Sequence, residues 1–394
     1  MNKIILLSLG IILNITLTVL SYFVPKDRKL ILLGSYNTFT GNTKTFYLYL
    51  LSEQNYFRVL WITHNKNIYK LLQDRQLPVL YIYTPKAFWY ILRANFLILT
   101  HGPIDTSYYY VLFGRFNMIQ TWHGIALKDI STNAMRNVPL YIRIIDHLSS
   151  LNDKNYKLIL ATSEETQKIF SSVFNNPNIK IIGYPRNDVF YNHRLVFEDY
   201  KEKLKLDRWK KVILYCPTFR DHTLGSNSMF SSFSKSFLNI LNEYLSHKDY
   251  ILLIKKHPYD RALNVEYFTN IVDISDMIID VQDLLLHVDI LITDYSSIMF
   301  DFVLLNRPII FYPYDIQSYT TKDRGLYYDY FKDLPGPFAI NEQELLILLK
   351  NIYILFEENN YQRKYREFKE RFHYYQDGNS CERLFNTLIS LLNQ

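Results

Sequence analysis

The sequence predicts an α/β protein made of two Rossmann-like domains that follow an apolar N-terminal membrane segment. Its 394 residues exceed the length that one hydrophobic core usually organises. Short β-branched and aromatic runs alternate with helical patterns, and a polar stretch at 192–211 interrupts this rhythm once. Residues 4–24 carry no charge and approach the length that a bilayer requires of a helix.

Composition narrows the class of protein. The hydrophobic fraction of 48% and the charged fraction of 21% are typical of a folded chain, and the net charge of +6 suits anionic partners. Basic residues do not interleave with aromatic ones as a nucleic-acid surface requires, so no nucleic-acid partner is expected. Cys216 and Cys381 form no CxxC pair, which argues against a zinc site or a disulfide framework.

The first predicted element is the membrane-associating segment, residues 1–25. Its apolar run, Ile4–Val24, is followed by Lys26, Arg28 and Lys29, and this positive flank favours a body on the cytoplasmic side of the cell membrane. No small-residue cleavage site follows it, which argues against a signal peptide. The run either spans the membrane or lies in its interface.

The predicted N-terminal domain covers residues 26–195. Its alternating runs predict strands at Leu30–Leu33, Arg58–Thr63, Val79–Tyr83, Phe96–Thr100, Met118–Trp122, Leu158–Thr162 and Lys180–Ile182. Helical patterns fill the intervals, for example at Thr43–Ser52 and Lys86–Ala94. Such alternation is typical of a parallel sheet.

The predicted C-terminal domain covers residues 196–394. Strands are expected at Val212–Tyr215, Tyr250–Lys255, Asp289–Thr293 and Pro308–Tyr312. The last two helical segments, near 360–372 and 381–392, could pack back across the domain boundary. Ligands of doubly wound sheets bind beyond the carboxyl ends of the strands, so we expect function at a cleft that both sheets share.

The motif QTWHGIALK follows a predicted strand of the N-terminal domain. It places His123 and Gly124 at the strand end and Lys128 a turn later. A histidine here suits a general base, a glycine lets a ligand approach the backbone, and a lysine could contact phosphate. A histidine that only caps a turn is the plainer reading of this motif taken alone.

Two strand ends of the C-terminal domain carry cations. YCPTFRD places Thr218 and Arg220 on a loop, and LIKKHP delivers Lys255 and His257 before a proline. The arginine fork matches phosphate oxygens, and a lysine with a histidine suits an anionic ligand. Solvated charges at a turn or at an edge strand are the plainer alternative.

The motif TDYSSIMFDF is the most informative. A strand runs into Asp294, Ser296 and Ser297, and an apolar helix that contains Asp301 follows. Serine hydroxyls and free N–H groups at a helix start predict a pyrophosphate site, with Asp301 placed to bond a ribose hydroxyl. Ser296 could also be a simple N-cap. Two weaker candidates for ligand contact are Arg186 in GYPRND and Arg324 in the loop YTTKDRGLYYDY.

Together the motifs QTWHG, GYPRND, YCPTFRD, KKHP and TDYSSIMFDFVLLNRPIIFY resemble the CDP-glycerol glycerophosphotransferase family of teichoic acid primases and polymerases. The resemblance covers nearly all of the chain after the apolar segment. It implies a GT-B-like fold, a C-terminal domain that holds CDP-glycerol, and release of CMP. The implied acceptor is an undecaprenyl-diphosphate-linked disaccharide or growing polymer at the membrane, with neither cofactor nor metal required.

The resemblance also implies roles for the matching residues. His123 and His257 correspond to the essential histidines, with His123 expected to be the base, although these two roles could be reversed. His257 would stabilise charge on the donor pyrophosphate, together with Arg220, Lys255 and the Ser296–Ser297 pair. Cys216 and the wording IALK depart from the usual family pattern without removing a polar group that the chemistry uses. The absence of a large preceding domain favours a primase.

Three rival functions stay open on the sequence alone. A transferase that uses CDP-ribitol or another activated polyol would share these motifs. So would a GT-B glycosyltransferase that uses a nucleotide sugar. A catalytically silent scaffold for wall-polymer assembly is less favoured, because both motif histidines are retained.

Overall fold

The computed structural model describes residues 3–53, 55–130, 143–144, 147–148, 150–218, 220, 233–256, 265–322 and 325–393. The chain forms two compact units. The first unit comprises residues 1–123, 140–196 and 373–394, and the second comprises residues 124–139 and 197–372. The predicted boundary between residues 195 and 196 lies beside the passage from one unit to the other at 196–197. The C-terminal residues 373–394, however, pack in the first unit.

The first unit is built on a parallel sheet with helices between its strands. Its described strands are β1 (Asp27–Leu33), β2 (Arg58–Thr63), β3 (Val79–Tyr81), β4 (Ala94–Leu99), β5 (Asn117–Gln120), β6 (Tyr156–Ala161) and β7 (Ile179–Ile181). Its described α-helices before residue 196 are α1 (Lys3–Leu20), α2 (Gly41–Ser52), α3 (Lys66–Asp74), α4 (Pro85–Arg93) and α5 (Glu164–Val173). Within the described residues the strand order is β3-β2-β1-β4-β5-β6-β7, so the winding direction switches between β1 and β4.

The second unit repeats this plan on a smaller parallel sheet. Its described strands are β8 (Lys211–Cys216), β9 (Tyr250–Ile254), β10 (Ile271–Asp273), β11 (Ile290–Thr293) and β12 (Ile309–Phe311). Its described helices are α6 (Tyr200–Lys203), α7 (Lys235–Lys248), α8 (Val281–Leu285), α9 (Ile298–Phe302), α10 (Ile316–Lys322), α11 (Tyr330–Asp333), α12 (Glu342–Phe356) and α13 (Asn359–Phe372). The order β10-β9-β8-β11-β12 switches direction between β8 and β11.

Burial explains why these runs form strands. The residues of β11 and of β12 are all buried, and so are the last four of β1. Continuous apolar runs of this kind are typical of parallel strands that are covered on both faces. Polar side chains begin the helices between them. The side chains of Asn65, Thr84 and Ser163 accept hydrogen bonds from the first turns of α3, α4 and α5.

The prediction of an apolar membrane segment over residues 1–25 is wrong. In the part of the chain that the structure describes, no helix combines the length and the apolar character that crossing a membrane demands. The predicted run extended to Val24, but α1 ends at Leu20. At 1.5 Å per residue its 18 residues reach about 27 Å, short of the roughly 30 Å hydrocarbon core. The α/β character with parallel sheets stands, and the GT-B pairing of the sheets stays a prediction.

One face of α1 packs on protein through a buried polar residue. The Asn14 amide donates to the Ser107 hydroxyl at 3.1 Å, to the Tyr109 carbonyl at 3.2 Å and to the Val111 carbonyl at 2.8 Å. Its oxygen accepts the Tyr108 N–H at 2.9 Å. These bonds satisfy the buried amide and join α1 to the segment that follows β4.

The C-terminal helix α14 (Ser380–Leu392) belongs to the first unit. The Asp188 carboxylate accepts the backbone N–H groups of Ser380 and Cys381, at 3.1 and 2.7 Å. The Arg383 guanidinium donates to the Ile182 carbonyl at 2.8 Å. The segment after β7 therefore holds the start of this helix.

Candidate active site

The candidate residues of the first unit follow β1, β4 and β5 at the carboxyl edge of its sheet. Gly34 follows β1, His101 follows β4 and His123 follows β5. A Cβ at Gly34 would lie 2.2 Å from the carbonyl oxygen of Asp105, so the loops after β1 and β4 approach each other too closely for a side chain there. These loops flank the switch point between β1 and β4, where ligands of such sheets bind.

A strained turn presents His123. Trp122 has a positive φ of 57°, which is costly for a bulky residue and requires support from its surroundings. The indole packs edge-on against Phe170 and Phe174 and stacks on the His123 ring, with centroids 4.4 Å apart. The Arg186 guanidinium donates to the His123 carbonyl at 2.7 Å. The residue keeps some surface in contact with solvent, while the groups packed around its ring desolvate the imidazole.

Two further polar contacts hold this turn. The Asn42 amide donates to the carbonyls of Thr121 and Trp122, at 3.0 and 2.9 Å, and its oxygen accepts the Arg186 N–H at 3.1 Å. Arg186 was predicted as a candidate ligand contact. Its buried side chain instead bonds the backbone of His123, so we assign it a positioning role.

His101 and Asp105 form a pair beside His123. The His101 Nδ1 lies 3.3 Å from the Asp105 carboxylate. That carboxylate is fully buried and also accepts the N–H groups of Tyr36 at 2.9 Å and of Thr100 at 2.7 Å. The rings of His101 and His123 stack with centroids 5.1 Å apart. The result is one carboxylate, one imidazole bonded to it, and a second imidazole against the first.

The electrostatics separate the two imidazoles. Burial opposes charge on His101, but the hydrogen bond and the charge of Asp105 outweigh this and raise the pKa of His101. Desolvation and the nearby His101 lower the pKa of His123, to about 3. His123 is therefore neutral near pH 7. Its Nδ1 lies 3.5 Å from the Thr100 carbonyl, which favours the tautomer with a free lone pair on Nε2.

In the second unit, Arg220 joins the loops that follow three strands. Its guanidinium donates to Asp294 at 2.8 Å, after β11, and to Asp315 at 2.7 and 2.9 Å, after β12. Asp294 also accepts the Thr218 N–H at 2.8 Å, after β8. Three tyrosine rings lie within cation–π range of the guanidinium, namely Tyr295, Tyr314 and Tyr319.

In this structure Arg220 and Asp294 already have protein partners. Both side chains are buried, and the arginine is held by two carboxylates. Contact between the guanidinium and a phosphate would require breaking bonds of a desolvated ion pair, which is costly. These bonds position the loops, and direct contact of either residue with a donor stays a prediction.

Lys255 also has protein partners. Its Nζ donates to the carbonyls of Ser275 at 3.0 Å and Met277 at 2.8 Å, beyond the end of β10. Burial lowers the pKa of Lys255. Its predicted contact with an anion would compete with these bonds, so the lysine holds the loop after β10.

Hydroxyls are the candidates for ligand contact at this edge. Ser297 begins α9 without a side-chain capping bond, and Ser296 is half-buried beside it. The Thr218 hydroxyl is buried and has no hydrogen-bond partner within the described residues. These three groups flank the switch between β8 and β11. Asp301 is buried and accepts the Gln282 amide at 3.1 Å.

Four predicted site residues remain, and two of them fall outside the part of the chain that the structure describes. His257 and Arg324 lie outside the described residues. Gly124 is buried in the second unit. Lys128 pairs with Leu326 in a β-bridge and places its Nζ 5.6 Å from the Tyr319 ring centroid.

Four residues of these clusters were missed by the sequence analysis. Asn42 lies at the start of a helix, His101 and Asp105 lie in HGPID, and Asp315 lies in YPYD. A polar residue directly after a buried strand was the available signal for His101. No local pattern marks Asn42, because its partners lie about eighty positions away.

The switch-point edge of the first unit carries a neutral imidazole, and that of the second unit carries hydroxyls at a helix start. These groups suit a transferase that acts on a phosphorylated donor. A sequence model of the CDP-Glycerol:Poly(glycerophosphate) glycerophosphotransferase family matches residues 16–390. The chain belongs to this family.

Individual relatives agree with this family. The chain is 30% identical over 362 residues to the teichoic acid glycerol-phosphate transferase of Staphylococcus aureus, with 89% of this chain and 90% of that one covered. It is 32% identical over 324 residues to the teichoic acid glycerol-phosphate primase of Bacillus subtilis, with 77% of each covered. The solved wall teichoic acid polymerase TagF superposes with a TM-score of 0.77 at 26% identity, over 97% of this chain and 92% of that one.

Proposed function

We propose that this chain transfers glycerol phosphate from CDP-glycerol to a membrane-linked teichoic acid acceptor, as a primase, and releases CMP. Membership of the glycerophosphotransferase family supports the reaction. Primases and polymerases of teichoic acid both match most of this chain, and the primase assignment follows the 32% identity to the Bacillus subtilis primase. An undecaprenyl-diphosphate-linked disaccharide is the acceptor that we propose. We place the enzyme at the cytoplasmic face of the cell membrane, where such a lipid-linked acceptor lies.

The proposed step is one displacement at phosphorus. The acceptor hydroxyl oxygen forms a bond to the phosphorus that carries glycerol. The bond from this phosphorus to the bridging oxygen of the pyrophosphate breaks, and CMP leaves with the electron pair. The hydroxyl proton passes to His123. Positioning and charge stabilisation, rather than a covalent intermediate, lower the barrier.

The observation that carries the proposal is the state of His123. The imidazole is neutral, and its favoured tautomer leaves a lone pair on Nε2 that can accept a proton. His101 beside it is bonded to Asp105, so a proton in this pair resides on His101. Protonated His101 in turn disfavours a second charge on His123, so the His123 imidazole is unprotonated before the reaction.

Donor binding is assigned to the carboxyl edge of the second sheet. The hydroxyls of Thr218, Ser296 and Ser297 would bond oxygens of the pyrophosphate, with His257 implied by the family resemblance. Arg220 and Lys255 act indirectly, because their bonds hold the loops that carry these hydroxyls.

CMP release tests this function. The purified protein is incubated with CDP-glycerol and the undecaprenyl-linked disaccharide, and CMP is measured by chromatography. We expect CMP only when both substrates are present, with one or a few units added to the acceptor. Parallel reactions with CDP-ribitol and with a nucleotide sugar test the rival donors, since a ribitol-phosphate polymerase of Bacillus spizizenii is 31% identical over 290 residues. Turnover with a rival donor but not with CDP-glycerol would overturn the proposal.

A further inference from the structure

An open cavity of about 820 Å³ lies at the amino edge of the first unit's sheet, where β1, β5 and β6 begin. Four cationic side chains line it: Lys26, Arg28, Arg115 and Lys157. No carboxylate lines it among the described residues. The nearest acidic neighbour in sequence, Asp27, is paired with Arg58 at 2.7 Å.

The cations are held in place by neighbouring groups. The Lys26 Nζ donates to the Leu92 carbonyl at 2.7 Å and lies 3.8 Å from the Phe116 ring centroid. The Ser21 hydroxyl accepts the Arg115 N–H at 3.0 Å, which fixes the loop that carries this arginine to the end of α1. Arg28 donates to the Leu392 carbonyl.

Two of the cations repel each other. Burial and the nearby Arg115 lower the pKa of Lys26, to about 7. Like charges brought together without a counter-charge cost free energy, and an anion between them would remove this cost.

We propose that this basic pocket, defined by Lys26, Arg28, Arg115 and Lys157, binds a phosphate group esterified to a small alcohol. Ammonium and guanidinium groups around one cavity suit the oxygens of such an anion. Phe23 and Val24 add an apolar rim, and Phe23 is 78% exposed. The phosphate could belong to a phospholipid headgroup or to a free glycerol phosphate, and both present the same chemistry.

The pocket is separate from the candidate active site of its own unit. It lies at the amino end of β5, and His123 follows the carboxyl end of the same strand. Likewise β1 runs for seven residues from the pocket edge to the switch point, which is about 20 Å. A ligand here would act on binding or localisation and not on the reacting atoms.

Binding measurements test the proposal. Calorimetry with glycerol 3-phosphate probes the free form, and cosedimentation with phosphatidylglycerol vesicles, against phosphatidylcholine vesicles, probes the headgroup. We expect the full chain to bind at least one of the two glycerol phosphate forms. The double variant Lys26→Gln with Arg115→Gln should weaken this binding about tenfold or more. Binding to vesicles alone would assign the headgroup, and binding to the soluble ester as well would assign a free phosphate site.

The matched control removes the same charge elsewhere. Lys168 and Lys180 are exposed in the first unit, and the double variant Lys168→Gln with Lys180→Gln should bind as the parent does. Because Lys26 also bonds the backbone, Lys157→Gln serves as a second pocket variant that removes only an exposed charge, and it should weaken binding as well. Absence of binding to both forms, or equal weakening by pocket and control variants, would overturn the proposal.

Discussion

At the residue scale, one buried carboxylate and the burial around it give two neighbouring imidazoles different protonation states. Asp105 is fully buried, and backbone N–H groups and His101 satisfy its oxygens. The burial penalty on this charge is therefore offset, and the pKa of Asp105 lies below its usual value. A negative Asp105 favours protonated His101, and desolvation together with the charge on His101 favours neutral His123. The pair thus keeps the His123 imidazole unprotonated before the reaction, while the lowered pKa also makes it a weaker base.

Removing the His123 imidazole should abolish most turnover. We expect His123→Ala to lower the rate of CMP release by about 10²–10⁴-fold, the range typical of a lost general base. His193→Ala is the matched control, because His193 is an exposed histidine of the same unit that belongs to no part of the proposed site. Its rate should equal that of the parent chain. A normal rate for His123→Ala would show that this imidazole is not the base.

The bond between His101 and Asp105 should make stability depend on pH. The pKa of His101 is raised by folding, so its contribution is fully present below about pH 6.5 and is lost as pH rises through the folded pKa. Asp105 has a lowered pKa, so its contribution is lost only in acid, as pH falls through its folded pKa. Urea denaturation of the parent and of His101→Gln should therefore differ more near pH 6 than near pH 9. Equal differences at the two pH values would contradict the pairing.

At the element scale, the Arg220 network fixes the loops after β8, β11 and β12 relative to one another. The stacked rings of Tyr295 and Tyr319, with centroids 3.7 Å apart, cover the guanidinium. The Tyr330 hydroxyl donates to the Asp294 carbonyl at 2.8 Å, which ties α11 to the same loop. The backbone that carries Ser296 and Ser297 is therefore fixed by contacts with the loops after β8 and β12 and with α11.

Breaking this network should destabilise the second unit. Asp315→Ala leaves Arg220 with one of its two carboxylates, and we expect the free energy of unfolding to fall by about 3 kcal/mol. Glu367→Ala is the control, because its bond to Arg363 lies on the surface, and it should cost less than about 1 kcal/mol. Urea denaturation followed by circular dichroism measures both. Similar losses for the two variants would mean that the network does not stabilise the unit.

The buried amide on α1 gives a second prediction for an element. Asn14→Ala leaves the Tyr108 N–H and three acceptors without their partner, at a cost of about 1–3 kcal/mol. Thr16→Ala removes a hydroxyl that bonds the Ile12 carbonyl of its own helix, so it should be nearly neutral. Limited proteolysis near the end of α1 reports the loss of docking. Equal protection in both variants would contradict the role of Asn14.

At the scale of the whole molecule, local sequence patterns predicted most strands but did not predict the contacts between segments that lie far apart in the chain. The predicted strand Arg58–Thr63 matches β2 because a buried strand is a continuous apolar run that is visible in the sequence. The short edge strand β10 was missed, because three residues carry too little pattern. Arg220 was taken for a free cation because Asp315, its partner, lies 95 positions away. The convergence of both sheets on one donor stays a prediction.

The chain order predicts an experiment on the C-terminal helix. Because α14 packs in the first unit, deletion of residues 373–394 should loosen that unit although the deleted residues follow the second one. The Asp188 carboxylate would lose the two N–H groups it accepts, and the Thr162 carbonyl would lose the Tyr374 N–H at 2.9 Å. Hydrogen exchange should therefore accelerate in β6, β7 and Pro185–Phe190, but not in β8 and β11. Deletion of residues 393–394 is the control, and it should leave hydrogen exchange unchanged in both sets of elements. Faster exchange in the second unit alone would contradict the assignment of this helix.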